Sequence, residues 1–289
     1  MQFVLQQTLN GMSLSAILFI ISVGFSIIIG LMRIVNLSHA AVFVLGAHIG
    51  IEVIKRTGNF PLGLLCGSIL MGILGMVMER VFISRLYGKQ LEQVLLTMGL
   101  MFIVDDLTLI FWGGYPVRIP EPSMLGGTLY FLGVVFPVYR LFLIGVGIFA
   151  GVVLWFILER SKVGAITRAG ADNEEMVQAM GINIKRVFFL TFTFGAFLVG
   201  LAGVVASPII TMQTGMSMQF LTLAVVVITV GGMGSLPGVV IGSLFVGIVD
   251  SFGRALFPTL SYFTLFVPMV IVLMIRPRGL LGRSVVFTK

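Results

Sequence analysis

Long runs of apolar residues fill most of this sequence, and they constrain its fold more than any other feature. A helix that spans a bilayer needs about 20 predominantly apolar residues. Nine runs approach or reach that length: Leu9–Leu31, Ala40–Ile54, Pro61–Phe82, Val94–Trp112, Tyr139–Leu158, Val187–Ile210, Phe220–Val230, Gly238–Val249 and Tyr262–Ile275. We interpret the three short runs, which begin at Ala40, Phe220 and Gly238, as tilted, broken or re-entrant helices. The sequence therefore predicts an all-α, polytopic transmembrane helical bundle of about eight spans.

Composition supports a membrane protein and excludes several other classes. Of the 289 residues, 58% are hydrophobic and only 10% are charged, whereas a soluble domain carries about 25% charged residues. The net charge of +7 resides mostly in loops between apolar runs, so membrane lipid explains it better than nucleic acid does. The single Cys66 provides neither a disulfide framework nor a metal site, and no cofactor is predicted.

The distribution of basic residues predicts the orientation of the chain. If the N-terminus lies outside and the C-terminus inside, 13 of the 18 Lys and Arg residues fall on the inner side and 5 on the outer side, as the positive-inside rule favours. The longest outer loop is then 113–138, and the longest inner loop is 159–186. Within the outer loop, Thr128–Phe136 has residues typical of strands, and both a small hairpin and an irregular loop are compatible with it.

The stretch GLMRIVNLSHAAVFVLGAH (residues 30–48) places polar residues in an apolar region. Polar groups at membrane depth are costly unless they find partners or water. Arg33 is predicted to anchor the inner end of the first span, and His39 to hydrogen-bond a neighbouring span. Asn36 and Ser38 are both suitable N-caps for a helix that begins near His39, so a helix break is expected. Whether Asn36, Ser38 and His39 also face a substrate path stays open, because broken helices in transporters direct polarised ends at substrates.

A second helix break is predicted at GGMGSLPG (residues 231–238). Four glycines and a proline in eight residues cannot continue a helix. No lysine follows the glycines, so this is not a nucleotide-binding loop, and we expect no ATP hydrolysis by the chain alone. Two interpretations remain open. The stretch is a tight turn between short helices, or it is a counterpart of the first break in which Gly231, Gly232, Gly234 and Ser235 face the same path.

The inner loop contains a short predicted helix in the stretch GADNEEMVQAMGINIK (residues 170–185). Asp172 is a suitable N-cap, and Glu175 stands three residues further on, as in a capping box. Gly181 is a suitable left-handed stop. About nine residues lie between cap and stop, which is too few for a stable isolated helix, so this helix needs tertiary contacts.

An apolar stripe on the same helix raises the question of what buries it. Met176, Val177 and Met180 share one face by their spacing. Neighbouring spans of the same chain are one possible cover. A groove on a cytoplasmic partner is the other, since methionine suits adaptable contacts.

Small and acidic residues within the apolar runs suggest further contacts. Two sets of glycines at close-packing spacing predict tight contacts between helices; they are Gly195, Gly200 and Gly203, and Gly238, Gly242 and Gly247. Asp105 and Asp106 either mark an ion path, line a water-filled cavity or pair with Arg33 or Arg140. Asp250 and Arg254 stand one helical turn apart and are expected to form a local pair.

Three stretches together resemble a known family in their order and spacing across nearly the whole chain. They are GLMRIVNLSHAAVFVLGAH, MGINIKRVFFLTFTFGAFLVGLAGVV and GGMGSLPGVVIGS, and they resemble permeases of the high-affinity branched-chain amino-acid importers, the LivH type. The inner loop is also similar to the coupling loop of ABC importer permeases, in which a glutamate and a glycine lie six residues apart, as Glu175 and Gly181 do. Met176 and Val177 depart from the two alanines of that loop.

The resemblance implies a bacterial inner-membrane permease rather than an enzyme. It implies a single permease domain over residues 1–289, with a periplasmic loop at 113–138 and a cytoplasmic coupling loop at 159–186. The implied partners are a second homologous permease, two cytoplasmic ATP-binding subunits and a periplasmic substrate-binding protein. The ATPase contact would then involve Asp172, Glu175, Met176, Val177, Met180 and Gly181.

The implied substrates are apolar amino acids, with urea, short amides or small carboxylates as variants within the same class. A self-sufficient transporter driven by an ion gradient is a different class that Asp105 and Asp106 would suit, but it leaves the capped inner helix without a purpose. An intramembrane hydrolase is a third class. Ser38 and His39 are adjacent, so on a helix they point about 100° apart and cannot act as nucleophile and base.

Overall fold

The computed structural model describes residues 1–32, 34–131 and 134–282, and nearly all of its regular structure is helical. The α-helices are α1 Gln2–Met32, α2 His39–Thr57, α3 Phe60–Val81, α4 Gln90–Trp112, α5 Val138–Trp155, α6 Lys162–Asp172, α7 Glu174–Ala179, α8 Ile184–Ala206, α9 Ser217–Gly231, α10 Leu236–Leu256 and α11 Ser261–Ile275. Short 3₁₀ turns follow α3 (Ile83–Leu86) and α10 (Pro258–Leu260), and a π-helical turn, Phe156–Arg160, extends α5. The predicted all-α class is confirmed.

Six helices in the described part of the chain are long and apolar enough to cross a membrane, namely α1, α3, α4, α5 with its π turn, α8 and α10, while α9 and α11 are shorter apolar helices. The expectation that Gly238–Val249 is a short helix was wrong, because α10 has 21 residues. Pro237 lies in the first turn of α10, where no backbone N–H is needed. At the other end, the helix continues through Asp250 and Arg254, which pair at 2.7 Å as expected.

The chain divides into two compact units, each built from separated segments. Unit 1 comprises Met1–Ser22, Glu121–Val152 and Thr222–Lys289, and unit 2 comprises Val23–Pro120 and Val153–Leu221. The single permease domain expected from the resemblance stays a prediction. The two helix breaks and the inner loop that contains α7 each lie within one unit and are described there.

In unit 2, α8 packs closely against α2 and α3 through its glycines. A Cβ added at Gly203 would lie 2.3 Å from the Phe43 carbonyl oxygen of α2, and one at Gly200 would lie 2.6 Å from the Met71 side chain of α3. Real Cβ atoms do not approach so closely, so these helices meet backbone to backbone only because glycine is present. The predicted packing role of this glycine set is confirmed.

In unit 1, α10 uses its glycines in the same way. A Cβ added at Gly242 would lie 2.3 Å from the Val227 carbonyl oxygen of α9, and one at Gly247 would lie 2.2 Å from the Ser15 hydroxyl of α1. The packing role predicted for the second glycine set is therefore confirmed as well. These two contacts join α9 and the first half of α1 to α10.

The loop before α5 contains the small hairpin that was one of two interpretations of its sequence. Strand β1 (Thr128–Phe131) pairs antiparallel with β2 (Val134–Pro137), with Thr128 opposite Pro137 and Phe131 opposite Val134. Residues 132–133, which connect the strands, lie outside the described residues. The hairpin interpretation is confirmed, and α5 begins directly after β2.

Candidate functional site

The first helix break lies in unit 2 between the end of α1 at Met32 and the start of α2 at His39. Arg33, the predicted anchor, lies outside the described residues. Asn36, Ser38 and His39 are 2%, 0% and 2% exposed. The break predicted from the sequence is therefore present, and its polar side chains are buried within the chain.

The way in which these side chains are satisfied differs from the prediction. Ser38 precedes α2 but has helical backbone angles, and its side chain makes no capping hydrogen bond. Its hydroxyl instead donates to the side-chain oxygen of Asn36 at 2.5 Å. The expectation that Asn36 and Ser38 cap α2 through their side chains was wrong, because a hydroxyl already in the helical region points away from the N–H groups of the first turn.

Thr97 of α4 holds the break in place, and the sequence analysis missed it. Its hydroxyl accepts the Leu37 N–H at 3.2 Å and lies 3.3 Å from the Val35 carbonyl oxygen, to which it can donate. Thr97 is fully buried. An isolated threonine in an apolar helix gives no local signal, since its partners lie about 60 residues earlier in the sequence.

His39 packs against α1. Its ring stacks on Phe25, with ring centroids 5.5 Å apart and an angle of 18° between the planes. Gly24 provides the room, because a Cβ added there would lie 3.2 Å from the His39 ring. The close fit makes His39 part of the α1–α2 contact.

The second helix break lies in unit 1 between α9 and α10. Gly232 and Gly234 have φ of +109° and +72°, angles that favour glycine. Ser235 is the N-cap of α10, and its hydroxyl oxygen accepts the Gly238 N–H at 3.2 Å. Gly231 faces Gly238 so closely that a Cβ on Gly231 would lie 2.1 Å from the Gly238 carbonyl oxygen. This is a tight turn between two helices, as one of the two interpretations had it.

The segment after α11 covers this turn, which sequence reasoning did not anticipate. The N–H groups of Leu280 and Leu281 donate to the carbonyl oxygens of Val230 and Gly231 at 2.8 and 2.9 Å. These two carbonyls lie in the last turn of α9, where intrahelical partners are lacking. The pairing depends on contacts between distant parts of the sequence, so no local pattern signals it.

The short helix between α5 and α8 is present as α7, but its cap is one residue later than predicted. Asp172 is the last residue of α6, and the N-cap of α7 is Asn173, whose side-chain oxygen accepts the Met176 N–H at 2.9 Å. Glu175 therefore lies in the first turn of α7 and is not the partner of a capping box. Asp and Asn cap equally well, so the sequence alone could not choose between neighbours. Gly181, at φ +81°, is the predicted left-handed stop.

The apolar stripe on α7 divides into a buried and an exposed part. Val177 is only 3% exposed, whereas Met176 and Met180 are 60% and 74% exposed. Val177 is therefore covered by its own chain, whereas Met176 and Met180 are not, so the two covers considered for the stripe apply to different residues. The rotation of α7 about its axis directs Val177 toward the protein and leaves Met176 and Met180 on the surface.

Asp105 has a polar partner within unit 2. Its carboxylate accepts a hydrogen bond of 2.5 Å from the hydroxyl of Ser217, at the start of α9. Ser217 is fully buried. Of the alternatives considered, a pair with Arg33 lies outside the described residues. The Ser217 contact links α4 to the segment that follows α8.

The apolar spans, with two helix breaks and an exposed short helix between two of the spans, define a multi-pass membrane protein. The family described as "Branched-chain amino acid transport system / permease component" matches residues 7–275. The chain belongs to this family, as its resemblance to the LivH type predicted.

Individual relatives support the assignment over nearly the full length. The chain is 27% identical to the high-affinity branched-chain amino acid transport system permease protein BraD of Pseudomonas aeruginosa, over 96% of both chains. It is 26% identical to LivH of Escherichia coli K12, over 97% of this chain and 96% of that one. The ribose import permease protein RbsC of Haemophilus influenzae is 26% identical over 94% of this chain and 84% of that one.

Among solved structures, PsaBC from Streptococcus pneumoniae in complex with Fab is similar, with a TM-score of 0.51 and 14% identity. The similarity covers 92% of this chain and 89% of that one. At this identity the likeness concerns the fold alone. It agrees with a bundle of transmembrane helices.

Proposed function

We propose that this chain forms the translocation path of an ATP-binding-cassette importer for branched-chain or other apolar amino acids. The proposed partners are a second homologous permease subunit, two cytoplasmic ATP-binding subunits and a periplasmic substrate-binding protein, in a bacterial inner membrane. Two relatives named as branched-chain amino acid permeases cover at least 96% of both chains in each alignment. Urea, short amides and small carboxylates are the alternative substrates.

The observation that carries the proposal is the pair of exposed methionines on α7. A six-residue helix cannot form alone, and here Val177 and the Asn173 cap anchor it while Met176 and Met180 stay on the surface. Two exposed methionines on an anchored helix suit a contact with another protein subunit. We assign them to a groove on the ATP-binding subunit.

The route from α7 into the membrane is short. Gly181 ends α7, and Asn183 caps α8 by accepting the Arg186 N–H at 3.3 Å, so two residues separate the stop from the next helix start. α8 then contacts α2 and α3 through its glycines. A displacement of α7 by the ATP-binding subunit would move α8, and with it α2, which begins at the first break. Because Asn36, Ser38 and His39 are buried here, their contact with substrate would require that movement to open the break.

The coupling contact is tested with Met176→Asp and Met180→Asp, measured by co-elution of the ATP-binding subunits and by ATP-dependent uptake. Burying an unpaired carboxylate in an apolar contact costs more than the roughly 1–3 kcal/mol of a neutral polar group, so we expect at least about tenfold weaker co-elution and a matching loss of uptake. Met124→Asp, at an exposed methionine in the loop before α5, is the matched control and should change neither. Wild-type co-elution and uptake in both variants would disprove the contact.

Substrate class is tested by uptake into proteoliposomes that contain the whole importer and its binding protein. Labelled leucine, isoleucine and valine should enter with ATP, and ribose and urea should not. Uptake that proceeds without the ATP-binding subunits and collapses with an ionophore would instead establish the ion-coupled alternative. Preference for ribose or urea would overturn the amino-acid assignment while leaving the importer class intact.

The proposed orientation, with the N-terminus outside and the C-terminus inside, is tested by cysteine labelling. The native Cys66 is first replaced by alanine. A cysteine at the exposed Asn173 should react only from the cytoplasmic side, and one at the exposed Ser123 only from the periplasmic side. The reverse pattern would invert the topology. Ser284, a further inner-side position, lies outside the described residues.

A further inference from the structure

A cavity with a basic lining lies in unit 2 where α3 ends and α8 begins. Its volume is about 560 Å³, and its lining includes Arg80, Lys185, Arg186, Tyr87 and Leu190. α3 and α8 run antiparallel, since Gly75 meets Ala196 and Gly72 meets Phe197. Arg80 in the last turn of α3 therefore comes close to the first turn of α8. Both helices are candidate spans, and the cavity lies at the end where α3 finishes and α8 starts.

The cations of the cavity form no ion pair within the described part of the chain. Arg80, Lys185 and Arg186 are exposed, and none forms an ion pair with a described residue. The lining also contains the carboxyl group of Glu79, which accepts a hydrogen bond from the Tyr87 hydroxyl. The cations therefore outnumber the carboxylate by three to one, which favours an anionic ligand.

Tyr87 keeps its proton and so remains a donor. Burial and then the hydrogen bond to Glu79 raise the pKa of the Tyr87 phenol well above its ordinary value. The phenol therefore adds no negative charge to the cavity at neutral pH. Its ring packs edge to face against Phe188 at 5.4 Å, which fixes that wall of the cavity.

An exposed apolar surface leads from the cavity along both helices. Ile73 and Val77 are exposed large apolar residues of α3, and they precede Arg80 on one helix face at i, i+4 and i+7 spacing. On α8, the exposed Leu190 follows Arg186 by one turn. The cations at the ends of the two spans suit the anionic headgroup of a phospholipid. The apolar stripes that continue along both helices suit its acyl chains.

We propose that this cavity binds an anionic phospholipid. The phosphate lies among Arg80, Lys185 and Arg186, and the acyl chains lie along the stripes that contain Val77 and Leu190. Basic pockets between helix ends at the membrane surface bind anionic headgroups in this way. A free phosphate or an acidic protein segment would pair with the cations but would not account for the exposed apolar stripes beside them.

The test places a tryptophan reporter in the site of the full-length chain in lipid nanodiscs. Leu190→Trp is quenched by phosphatidylglycerol or phosphatidylcholine with brominated acyl chains, and the signal of the parent protein is subtracted. Each cation near an anionic headgroup adds about fivefold to binding, so with three cations half-quenching should need about a hundredfold less phosphatidylglycerol than phosphatidylcholine. The control reporter is Ile110→Trp, at an exposed residue near the C-terminal end of α4 and outside the cavity lining. It should be quenched equally by both lipids.

Charge variants then distinguish binding at this site from nonspecific attraction between the basic protein and anionic lipid. Arg80→Gln with Lys185→Gln and Arg186→Gln should abolish the preference. The matched triple Lys162→Gln, Arg276→Gln and Arg278→Gln removes the same charge from exposed positions outside the lining and should retain it. If the first triple fails to fold, Arg186→Gln alone should weaken the preference about fivefold.

Several results would overturn the proposal. Equal quenching by the two lipids would do so, as would an equal loss of preference in the two triples. Loss of the preference in inorganic phosphate, but not in chloride of the same ionic strength, would identify a free-phosphate site. An unchanged lipid preference together with lost co-elution of the ATP-binding subunits would assign the cations to a protein contact.

Discussion

Each of the two helix breaks separates two apolar helices. They differ in the contacts that hold them. The break before α2 is held by side chains, with Ser38 bonded to Asn36 and the buried Thr97 bonded to the connecting backbone. The break before α10 is held by backbone. Glycines let α9, α10 and the Leu280–Leu281 segment approach one another directly.

This difference determines how easily each break can rearrange during transport. A side-chain clamp opens when one hydroxyl finds another partner, which is a modest rearrangement. In the break before α10 the backbones themselves are in contact and Ser235 only caps the following helix, so we expect this turn to be the more rigid of the two. We therefore infer that the break before α2 is the part that moves, and that the break before α10 provides a fixed reference within its own unit.

The largest expected effect is at the backbone-held break. In Gly231→Ala the new Cβ would lie 2.1 Å from the Gly238 carbonyl oxygen, and neither backbone can move aside cheaply. Overpacking typically costs about 1–3 kcal/mol and occasionally more, and a Cβ placed against backbone atoms belongs at the upper end of that range. The apparent unfolding temperature in detergent should fall sharply, together with the yield of folded protein.

Gly99→Ala is the matched control for that change. Gly99 lies within α4, and a Cβ there meets nothing within 4 Å, so alanine should stabilise the helix by about 0.5–1 kcal/mol. If Gly231→Ala proved as stable as Gly99→Ala, the two backbones could not be in contact, and the contrast between the breaks would fail.

The next effect is at the side-chain clamp. Thr97→Val keeps the shape of the residue but leaves the Leu37 N–H without its acceptor. An unsatisfied buried donor costs about 1–3 kcal/mol. Thr97→Ser retains the hydroxyl and should unfold close to the parent temperature. Equal stability of the valine and serine variants would show that the hydroxyl does not hold the break.

The sequence predicted those features that depend on local pattern. Both breaks, the glycine contacts, the Gly181 stop and the Asp250–Arg254 pair follow from residues that are close in sequence or from spacing on one helix, whereas the hairpin was one of two interpretations left open. The boundary of α10 was misjudged because a run of apolar residues ends at Val249 while the helix itself continues through a charged pair.

The sequence did not predict features that depend on distant partners. Thr97 and the Leu280–Leu281 pairing connect segments far apart in the chain, and no local signal marks them. On α7, spacing identified an apolar group but not which member faces inward. That depends on how the helix is rotated against its unit, so only the structure separates Val177 from Met176 and Met180.

A smaller effect is expected at Ser38. Ser38→Ala removes the donor to the Asn36 side chain, and we expect a loss of about 1–2 kcal/mol in the free energy of unfolding. Ser38→Asn should not restore stability, although asparagine is a strong capping residue, because Ser38 makes no capping bond and is fully buried. Thermal unfolding of the three proteins side by side measures both. Recovery in the asparagine variant would mean that position 38 caps α2 after all.

The smallest change in stability is expected at Ser235, and it distinguishes the two breaks most clearly. Ser235 is a true N-cap, so Ser235→Ala should cost about 1 kcal/mol, and Ser235→Asn or Ser235→Asp should restore nearly all of it. The rescue is expected because the Gly238 N–H needs only an oxygen at this position, and because the extended backbone of Ser235 suits these residues equally. The measurement is the same thermal unfolding used for Ser38, so the two positions are compared directly. Asparagine should thus rescue position 235 and fail at position 38. If it rescued both or neither, the assignment of one break to side-chain clamping and the other to capping and backbone contact would be wrong.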